Sequence, residues 1–412
     1  MHRRLLAPIV LAAVAVAACS DDAPAAPADP SPSGSTSSST AAPATTAAPS
    51  TAAAPSTTAP GDPSGAGIGT GTDWSIGGAL AEVPDAGADE FTVWAADVAQ
   101  VATLFALEWP ASVDDVDAVL DEWVLPLSFP GTAEYRSLPV WIPLDEPLLP
   151  RVVDRLGEFD DTLGWSVVDV DAYVHYLPSP VGYFTAAAGQ FADDALAGLP
   201  EVAPGVVTTR EGDDFATDFS GSTAVDQLGR PVRAARDGDV IALSLATPLV
   251  EQWLADGTET LADDPQLAAI AAALDAHGVL TAQIFRYDFR AGAVRPQTPE
   301  ETEQVAELVA AIPEFDTVAV GWAVDDAGEP LTVVVYGTPG DGATALAEQL
   351  ATVYAEGTSL VTRQPVTEAI GAADPEIVAD GSVVTVTYRP QDRFWAAAVQ
   401  AVISRDLPFV HR

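Results

Sequence analysis

The stretch VRAARDGDVIAL, residues 232–243, reads as two strands joined by a tight turn. Asp-Gly between two apolar runs is a strong signal for a β-hairpin, because the turn needs a positive φ angle that glycine adopts without strain. Asp380-Gly381 stands in the same setting, between Glu376–Ala379 and Val383–Tyr388. A second pair of strands is predicted in each neighbourhood, at 170–176 with 182–187 and at 318–324 with 331–336. The sequence therefore predicts antiparallel sheet.

Amphipathic helices alternate with these hairpins. Asp264-Pro265 and Thr298-Pro299 each place a capping residue before a proline, and proline suits the first position of a helix. Further helices are predicted from Ser112, from Thr247-Pro248, across 192–199, across 343–354 and around Trp395–Val402. The chain is accordingly assigned to the α+β class, with antiparallel sheets and flanking amphipathic helices.

The order of elements is similar in two parts of the folded region, 73–257 and 258–412. Each part reads as helix, hairpin, helix, hairpin, helix, although few residues are identical. An internal pseudo-repeat would give two similar α+β lobes, packed side by side with room for a groove between them. The alternative is coincidence, since hairpins and helices alternate in many α+β domains.

The N-terminus has the pattern of an export signal, assigned to residues 1–18. Arg3 and Arg4 precede an apolar run, Leu5–Ala18, which is shorter than the roughly 20 residues that cross a bilayer. The run ends in Val16-Ala17-Ala18-Cys19, which resembles the lipobox of bacterial lipoproteins. The resemblance covers this segment alone. It implies cleavage before Cys19 and a diacylglyceryl group on its sulfur, which would hold the chain at the extracytoplasmic face of the cell membrane.

Two alternatives to this interpretation of the N-terminus stay open. Cys19 is the only cysteine, so no disulfide can form within the chain. An ordinary signal peptide with A-x-A cleavage would make this cysteine incidental. The pair Arg3-Arg4 also leaves twin-arginine export open beside the general secretion route.

The charge of the chain limits its partners. Its 412 residues include 60 Asp and Glu against 17 basic residues, all of them arginine, for a net charge of −43. Removal of residues 1–18 would leave 15 arginines and a charge of −45. Such a surface repels nucleic acid and anionic lipid. The lipid bilayer is therefore expected as a partner only through the acyl anchor, and the sequence identifies no ligand or protein partner.

Residues 19–72 are predicted to form the lipidated cysteine and a disordered stalk. This segment is rich in Ala, Pro, Ser and Thr and nearly lacks large apolar residues, so it cannot offset the entropy of ordering. Stalks of this composition often carry O-glycans. The glycine-rich run Gly65–Gly71 superficially resembles a phosphate-binding loop, but no strand precedes it. We interpret it as the end of the linker.

The best candidate site lies on the predicted strand 170–176 and just before it. Strand alternation places Asp169, Asp171, Tyr173 and His175 on one face. Two carboxylates and an imidazole can bind a divalent cation or carry acid–base chemistry, so a metal or ligand face is one interpretation. The alternative is the polar outer face of a half-buried antiparallel strand. The sequence implies no other cofactor.

The remaining candidates carry less chemistry. Arg286, Asp288 and Arg290 alternate along a predicted strand, as either an anion site or a charge ladder. His277 falls at a predicted helix end, where it complements the helix dipole, and His411 lies in the tail. Nucleophile-elbow, HExxH, Walker A and EF-hand motifs are absent from the sequence. Carboxylates are too numerous for the sequence to single out a glycosidase pair.

Three functions fit these observations. The first is a non-catalytic binding or scaffold module of the cell envelope, and the missing catalytic motifs favour it. The second is a secreted hydrolase that uses carboxylates, with Ca²⁺ or another cation, motivated by Asp169, Asp171 and His175. The third is a self-associating structural envelope protein.

Overall fold

The computed structural model describes residues 68–107, 110, 112–113, 148, 155–179, 182–255, 257–288, 298–300, 302–303, 315–391 and 396–409. Cys19 and most of the predicted stalk lie outside these residues, as do Arg290, Trp395 and His411. The same holds for most of the two helices predicted to begin at Ser112 and Thr298. The predictions for these segments stay predictions.

Twelve antiparallel strands form one sheet in the described part of the chain, in the order β11-β12-β10-β9-β8-β1-β2-β3-β7-β6-β5-β4. The strands are β1 Phe91–Asp97, β2 Val170–Pro178, β3 Phe184–Gly189, β4 Glu201–Ala203, β5 Val206–Thr208, β6 Arg233–Asp237, β7 Val240–Ser244, β8 Thr281–Arg286, β9 Thr317–Val324, β10 Pro330–Gly337, β11 Ala372–Asp380 and β12 Val383–Pro390.

Eight α-helices accompany this sheet within the described ranges, so the predicted α+β class with flanking helices is confirmed. The helices are α1 Ile76–Ala81, α2 Val98–Leu104, α3 Leu156–Leu163, α4 Thr247–Leu254, α5 Pro265–Asp275, α6 Ala343–Glu356, α7 Val366–Ala369 and α8 Ala397–Ile403.

Strands β1 and β8 pair in the interior of the sheet, with Phe91 opposite Arg286 and Ala96 opposite Thr281. Outward from β1 the order is β2, β3, β7, β6, and outward from β8 it is β9, β10, β12, β11. The predicted lobes 73–257 and 258–412 thus contribute to one continuous sheet. The hydrogen-bonded pair of strands β1 and β8 joins the two lobes at the junction where a groove was expected. The internal pseudo-repeat stays a prediction, because a shared strand order does not by itself relate the two sequences.

Both Asp-Gly hairpins form as predicted. Asp237 pairs with Val240 and Asp380 pairs with Val383, which leaves two-residue loops that begin with glycine. Gly238 has φ +57° and Gly381 has φ +56°, a region that other residues adopt only with strain. The glycines therefore fix the turns and, with them, the register of the strands.

Both faces of the sheet are buried along its central strands. One face packs Tyr173, Trp322 and Tyr336 with residues of α3, α6 and α8. The other packs Val174 and Val335 with residues of α1 and α5. Each aliphatic side chain buried in this way stabilises the fold by about 1.5–3 kcal/mol. Strands with two covered faces lack the exposed polar side that antiparallel sheets often have.

The start of α5 shows why the predicted helix boundaries hold. Asp264 accepts hydrogen bonds from the backbone nitrogens of Gln266 (2.8 Å) and Leu267 (3.0 Å), and Pro265 takes the first helical position. Leu267 and Leu274 then lie on the buried side of the helix. The capping carboxylate satisfies two donors that would otherwise lack a partner at the helix N-terminus.

The helix predicted across 192–199 is wrong. This segment forms consecutive turns, with hydrogen bonds from Ala195 N to Ala192 O and from Ala197 N to Asp194 O. Leu196 has φ +69°, which a right-handed helix cannot accommodate, and its nitrogen donates to Leu163 O at the end of α3. A tertiary contact therefore overrides the local helical preference.

The packed part of the chain begins before the predicted start at residue 73. Ile68 is buried against one face of the sheet. The nitrogen of Gly71 donates a 2.7 Å hydrogen bond to the carboxylate of Asp97. The indole nitrogen of Trp74 donates to Val279 O at 3.0 Å. The C-terminal end of the glycine-rich run therefore belongs to the fold.

Candidate functional site

Tyr173 and His175 do not lie on a polar outer face, so the interpretation of this strand as half-exposed is wrong. Tyr173 is 0% exposed and His175 is 1% exposed. The reason is that helices and loops cover both faces of the sheet, including the face that carries these two residues. The alternation holds from Ala172 to His175, because Ala172 and Val174 pack on the opposite face, but it breaks at the irregular start of β2, where Val170 packs on the same face as Tyr173.

His175 is held among aromatic side chains in the middle of the sheet. Its Nδ1 atom lies 2.7 Å from Thr185 Oγ1 on β3. The ring centroids of Trp94 and Tyr183 lie 5.4 Å and 5.7 Å from that of His175. Trp94 is the direct cross-strand neighbour of His175, since β1 pairs with β2 at this position. The imidazole is thus placed by packing within the sheet.

Asp169 and Asp171 lie at the other end of the same segment. Asp169 closes the short 3₁₀ turn Val167–Asp169, where its carboxylate accepts from Ser166 N at 2.8 Å. Asp171, at the start of β2, forms a hydrogen bond with the Gln190 side chain. Burial raises the pKa of Asp171, and the Gln190 hydrogen bond opposes this shift only in part.

The two carboxylates line a cavity of about 360 Å³ at this end of the sheet. Its walls come from α3, the 3₁₀ turn, the start of β2 and the residue that follows β3. His175 and Tyr173 are not part of the lining, so the structure brings together only half of the predicted face. The lining residues are Pro110, Ser112, Val113, Asp160, Ser166, Val168, Asp169, Asp171 and Gln190.

The cavity is acidic and polar. Three aspartates line it, and no Arg or Lys is among its described lining residues. Asp97 adds to the negative potential: burial raises its pKa, and repulsion by Asp171 raises it further. Carboxylates in such surroundings are stabilised when a proton or another cation binds beside them. The arrangement suits a ligand that carries hydrogen-bond donors or positive charge.

Several lining residues were not predicted from the sequence. Ser166-Val167-Val168-Asp169 has the spacing of a capping box, and that signal would have located Ser166. Asp160 lies on α3 and Gln190 follows β3. No local pattern links either residue to β2, because the tertiary fold alone brings these elements together.

The arginine candidate is occupied by internal contacts. Arg286 forms a 2.8 Å ion pair with Asp264 and donates to Gln266 and Thr317. Its guanidinium also lies 5.0 Å from the centroid of the Phe91 ring. Asp288 lies beyond the end of β8, so the predicted alternation stops at Arg286. Arg286 therefore joins the start of α5 to the sheet.

His277 follows α5 in a turn that closes at Gly278. Partial burial lowers its pKa, and the nearby Glu376 opposes this effect.

Within the part of the chain that the structure describes, no three His, Cys, Asp or Glu side chains are grouped to share a metal ion. A divalent cation at Asp169 and Asp171 accordingly stays a prediction.

Comparison of the chain with protein-family models, with curated proteins and with solved structures yields no match. None of the helices in the described ranges combines the length and the hydropathy that a bilayer crossing requires.

Proposed function

We propose that this chain is a lipid-anchored, extracytoplasmic binding module without catalytic activity. The polar cavity of about 360 Å³ carries the proposal, because ligand sites are concave and use placed polar groups to orient the ligand. Asp160, Asp169 and Asp171 favour a ligand with positive charge. The lipobox-like segment and the stalk support a location at the outer side of the cell membrane.

The binding role is tested by thermal unfolding of the chain from residue 19 onward, with Cys19→Ser to prevent lipidation. Organic cations, Ca²⁺ and neutral sugars are compared as additives. A bound ligand at a hundredfold excess over its dissociation constant stabilises the folded state by about 2.7 kcal/mol. A midpoint shift with a cationic additive, and none with sugars, is expected.

Two matched variants connect that shift to the cavity. Asp171→Asn removes a lining charge, whereas Asp341→Asn removes an equal charge from an exposed position that does not line the cavity. The first variant is expected to abolish the shift and the second to retain it. Equal loss in both variants would attribute the effect to general charge, and the cavity would be abandoned as the site.

The anchor is tested in cells with the full chain. Cys19→Ser is expected to move the protein from the membrane fraction to the soluble fraction, and Ser20→Ala is the control. Mass spectrometry of the N-terminal peptide is expected to show a diacylglyceryl group on Cys19. An unmodified peptide that starts at another residue would mean ordinary signal cleavage.

A carboxylate-dependent hydrolase is the second candidate, and the raised pKa of Asp171 inside the cavity favours it. A carboxyl group that stays protonated closer to neutral pH is suited to act as a general acid. Turnover of an envelope substrate that Asp171→Asn abolishes would replace the first proposal with this one. Turnover that survives in Asp171→Asn would exclude this carboxylate as the acid.

A further inference from the structure

The connection from β5 to β6, residues 209–232, presents three apolar side chains to solvent. Phe219 is 75% exposed, Phe215 is 40% exposed and Leu228 is 38% exposed. We call these three residues the Phe219 patch. Long loops with fixed structure and exposed apolar side chains are common sites of recognition. The cavity described above lies elsewhere, since none of these residues lines it.

The turns that carry the three side chains are joined to one another by backbone and side-chain contacts. The backbones of Asp218 and Gly229 touch so tightly that a Cβ atom on Gly229 would collide with the carbonyl oxygen of Asp218. Phe219 and Leu228 are therefore on adjacent turns of the loop. Thr217 connects to the same turns, because it receives a 3.4 Å hydrogen bond from Arg230 and donates one to Phe215 O.

Buried and half-buried arginines brace this loop. Arg233, which is 2% exposed, pairs with Asp214 at 2.8 Å, and Asp214 also accepts from Thr247 at the start of α4. Arg210 donates to Gly221 O at 2.8 Å and to Asp218 at 3.0 Å. The loop thus presents its apolar side chains on a fixed backbone.

The backbone is strained at two residues of the patch. Phe215 has φ +62° and Leu228 has φ +56°, values that favour glycine or asparagine over bulky side chains. The Phe215 ring also lies against Gly182, where an added Cβ atom would come within 2.7 Å of it. Strain of this kind persists where surrounding contacts enforce it and is often associated with function.

Charge indicates what covers the patch. Glu211 and Asp213 are exposed beside Phe215 and form no ion pair with any described residue. A second copy of this chain, at −43, or an anionic bilayer would meet like charge here. We propose that the Phe219 patch is the docking surface for a protein partner that has an apolar pocket edged by lysine or arginine side chains.

The experiment places the photo-crosslinking residue p-benzoylphenylalanine at position 219 or 228 of the full chain in the cells that naturally contain it. Position 378 is the control, because Val378 is 50% exposed on the edge strand β11 and lies outside the patch. The same single protein is expected to be captured from 219 and 228 and to be absent from 378.

The captured protein is then purified and titrated against the full chain. Phe219→Ser is expected to weaken binding tenfold or more, as for a central aromatic contact. The double variant Glu211→Gln with Asp213→Asn is expected to weaken it about fivefold, since each exposed ion pair contributes little. Raising the salt concentration from 0.15 to 1 M, which shortens the screening length from about 8 to about 3 Å, is expected to weaken it as well.

Other results would overturn the proposal. Crosslinks to lipid, to a second copy or to residues 19–67 of the same chain would each assign the patch to another occupant. Affinity that is insensitive to salt and to the double variant would mean that the partner has no basic side chains facing Glu211 and Asp213. Absence of any crosslink at 219 and 228 would leave the patch without a partner. An unchanged unfolding midpoint of Phe219→Ser confirms that the variant folds.

Discussion

Arg233 and Asp214 form an ion pair in which Nε lies 2.8 Å from Oδ1, with the arginine almost entirely buried in the sheet. The guanidinium also donates to Gly212 O at 2.6 Å and to Thr208. A single side chain of β6 therefore fixes both the loop that carries the Phe219 patch and the first turn of α4.

Arg233→Met is expected to reduce the free energy of unfolding by about 2–3 kcal/mol, because it removes a buried guanidinium that pairs with Asp214 and donates to Thr208 and Gly212 O. Denaturant titration followed by circular dichroism measures the loss. Arg389→Met is the control, since Arg389 is 66% exposed in its pair with Asp325 and a small change is expected there. Equal losses in the two variants would mean that the buried Arg233 pair stabilises the fold no more than the exposed Arg389 pair does.

Mild acid is expected to stabilise the fold. Burial raises the pKa of Asp97, Asp171 and Asp275 above the ordinary carboxyl range. Between that range, near 4, and neutral pH, the folded state then binds more protons than the unfolded state, so the free energy of unfolding rises as pH falls. Denaturant titrations from pH 7 to pH 5 test this. In the Asp97→Asn variant, the free energy of unfolding is expected to change less with pH. The Asp341→Asn variant is expected to keep the pH dependence of the unmodified chain.

Stronger acid is expected to reverse this gain. Burial alone would raise the pKa values of Asp214 and Asp264, but hydrogen bonds and arginine partners outweigh it and leave them lowered. Their contribution is complete above the unfolded-state pKa and disappears as pH falls through the lowered values. The same titrations continued below pH 4 are expected to show falling stability. A monotonic rise down to pH 2 would contradict the assignment.

The carboxylate of Asp275 caps a helix distant in sequence. It accepts from Ile76 N at 2.6 Å and from Gly77 N at 3.1 Å, at the start of α1. Asp275→Ala is expected to cost about 1–2 kcal/mol and to speed amide exchange selectively in α1. Hydrogen-exchange mass spectrometry measures this effect. Exchange that accelerates evenly over the sheet instead would indicate global destabilisation.

Two glycines give opposite predictions for the same substitution. Gly381→Ala is expected to cost about 1–2 kcal/mol, because φ is +56° at the first position of the hairpin loop. Gly157→Ala, in α3 with open space at its Cβ position, is expected to be neutral or to stabilise by up to about 1 kcal/mol. Thermal unfolding compares the two. Similar losses of stability in both variants would show that the positive φ angle at position 381 is not the cause of the loss.

Local signals in the sequence were enough for the two Asp-Gly hairpins and for four of the eight helices in the described ranges, whereas α1, α2, α3 and α7 were not predicted. Glycine after Asp237 and Asp380 determines a turn, and Asp264-Pro265 determines a helix start, because each acts within a few residues. The position of β1 beside β8 could not be predicted, since no local pattern specifies a partner so distant in the chain. The same reason explains Leu196, whose conformation follows from a contact with Leu163.

The candidate site was predictable only in part. Strand alternation correctly places Tyr173 and His175 on one face, but it does not extend through the irregular start of β2 to Asp169 and Asp171. It gives no information on whether that face is covered, and here coverage separates the imidazole from the carboxylates. Asp160 and Gln190 reach the cavity from other elements, so their participation depends on the fold as a whole.

The pairing of β1 with β8 has a consequence for synthesis. The ribosome releases β1 long before β8, and until then the first half of the sheet ends in an unpaired row of backbone donors and acceptors. Long-range pairing of this kind forms slowly, and an open edge invites association with other chains. Until Thr281–Arg286 is available to pair, β1 is therefore the open edge of the first half of the sheet.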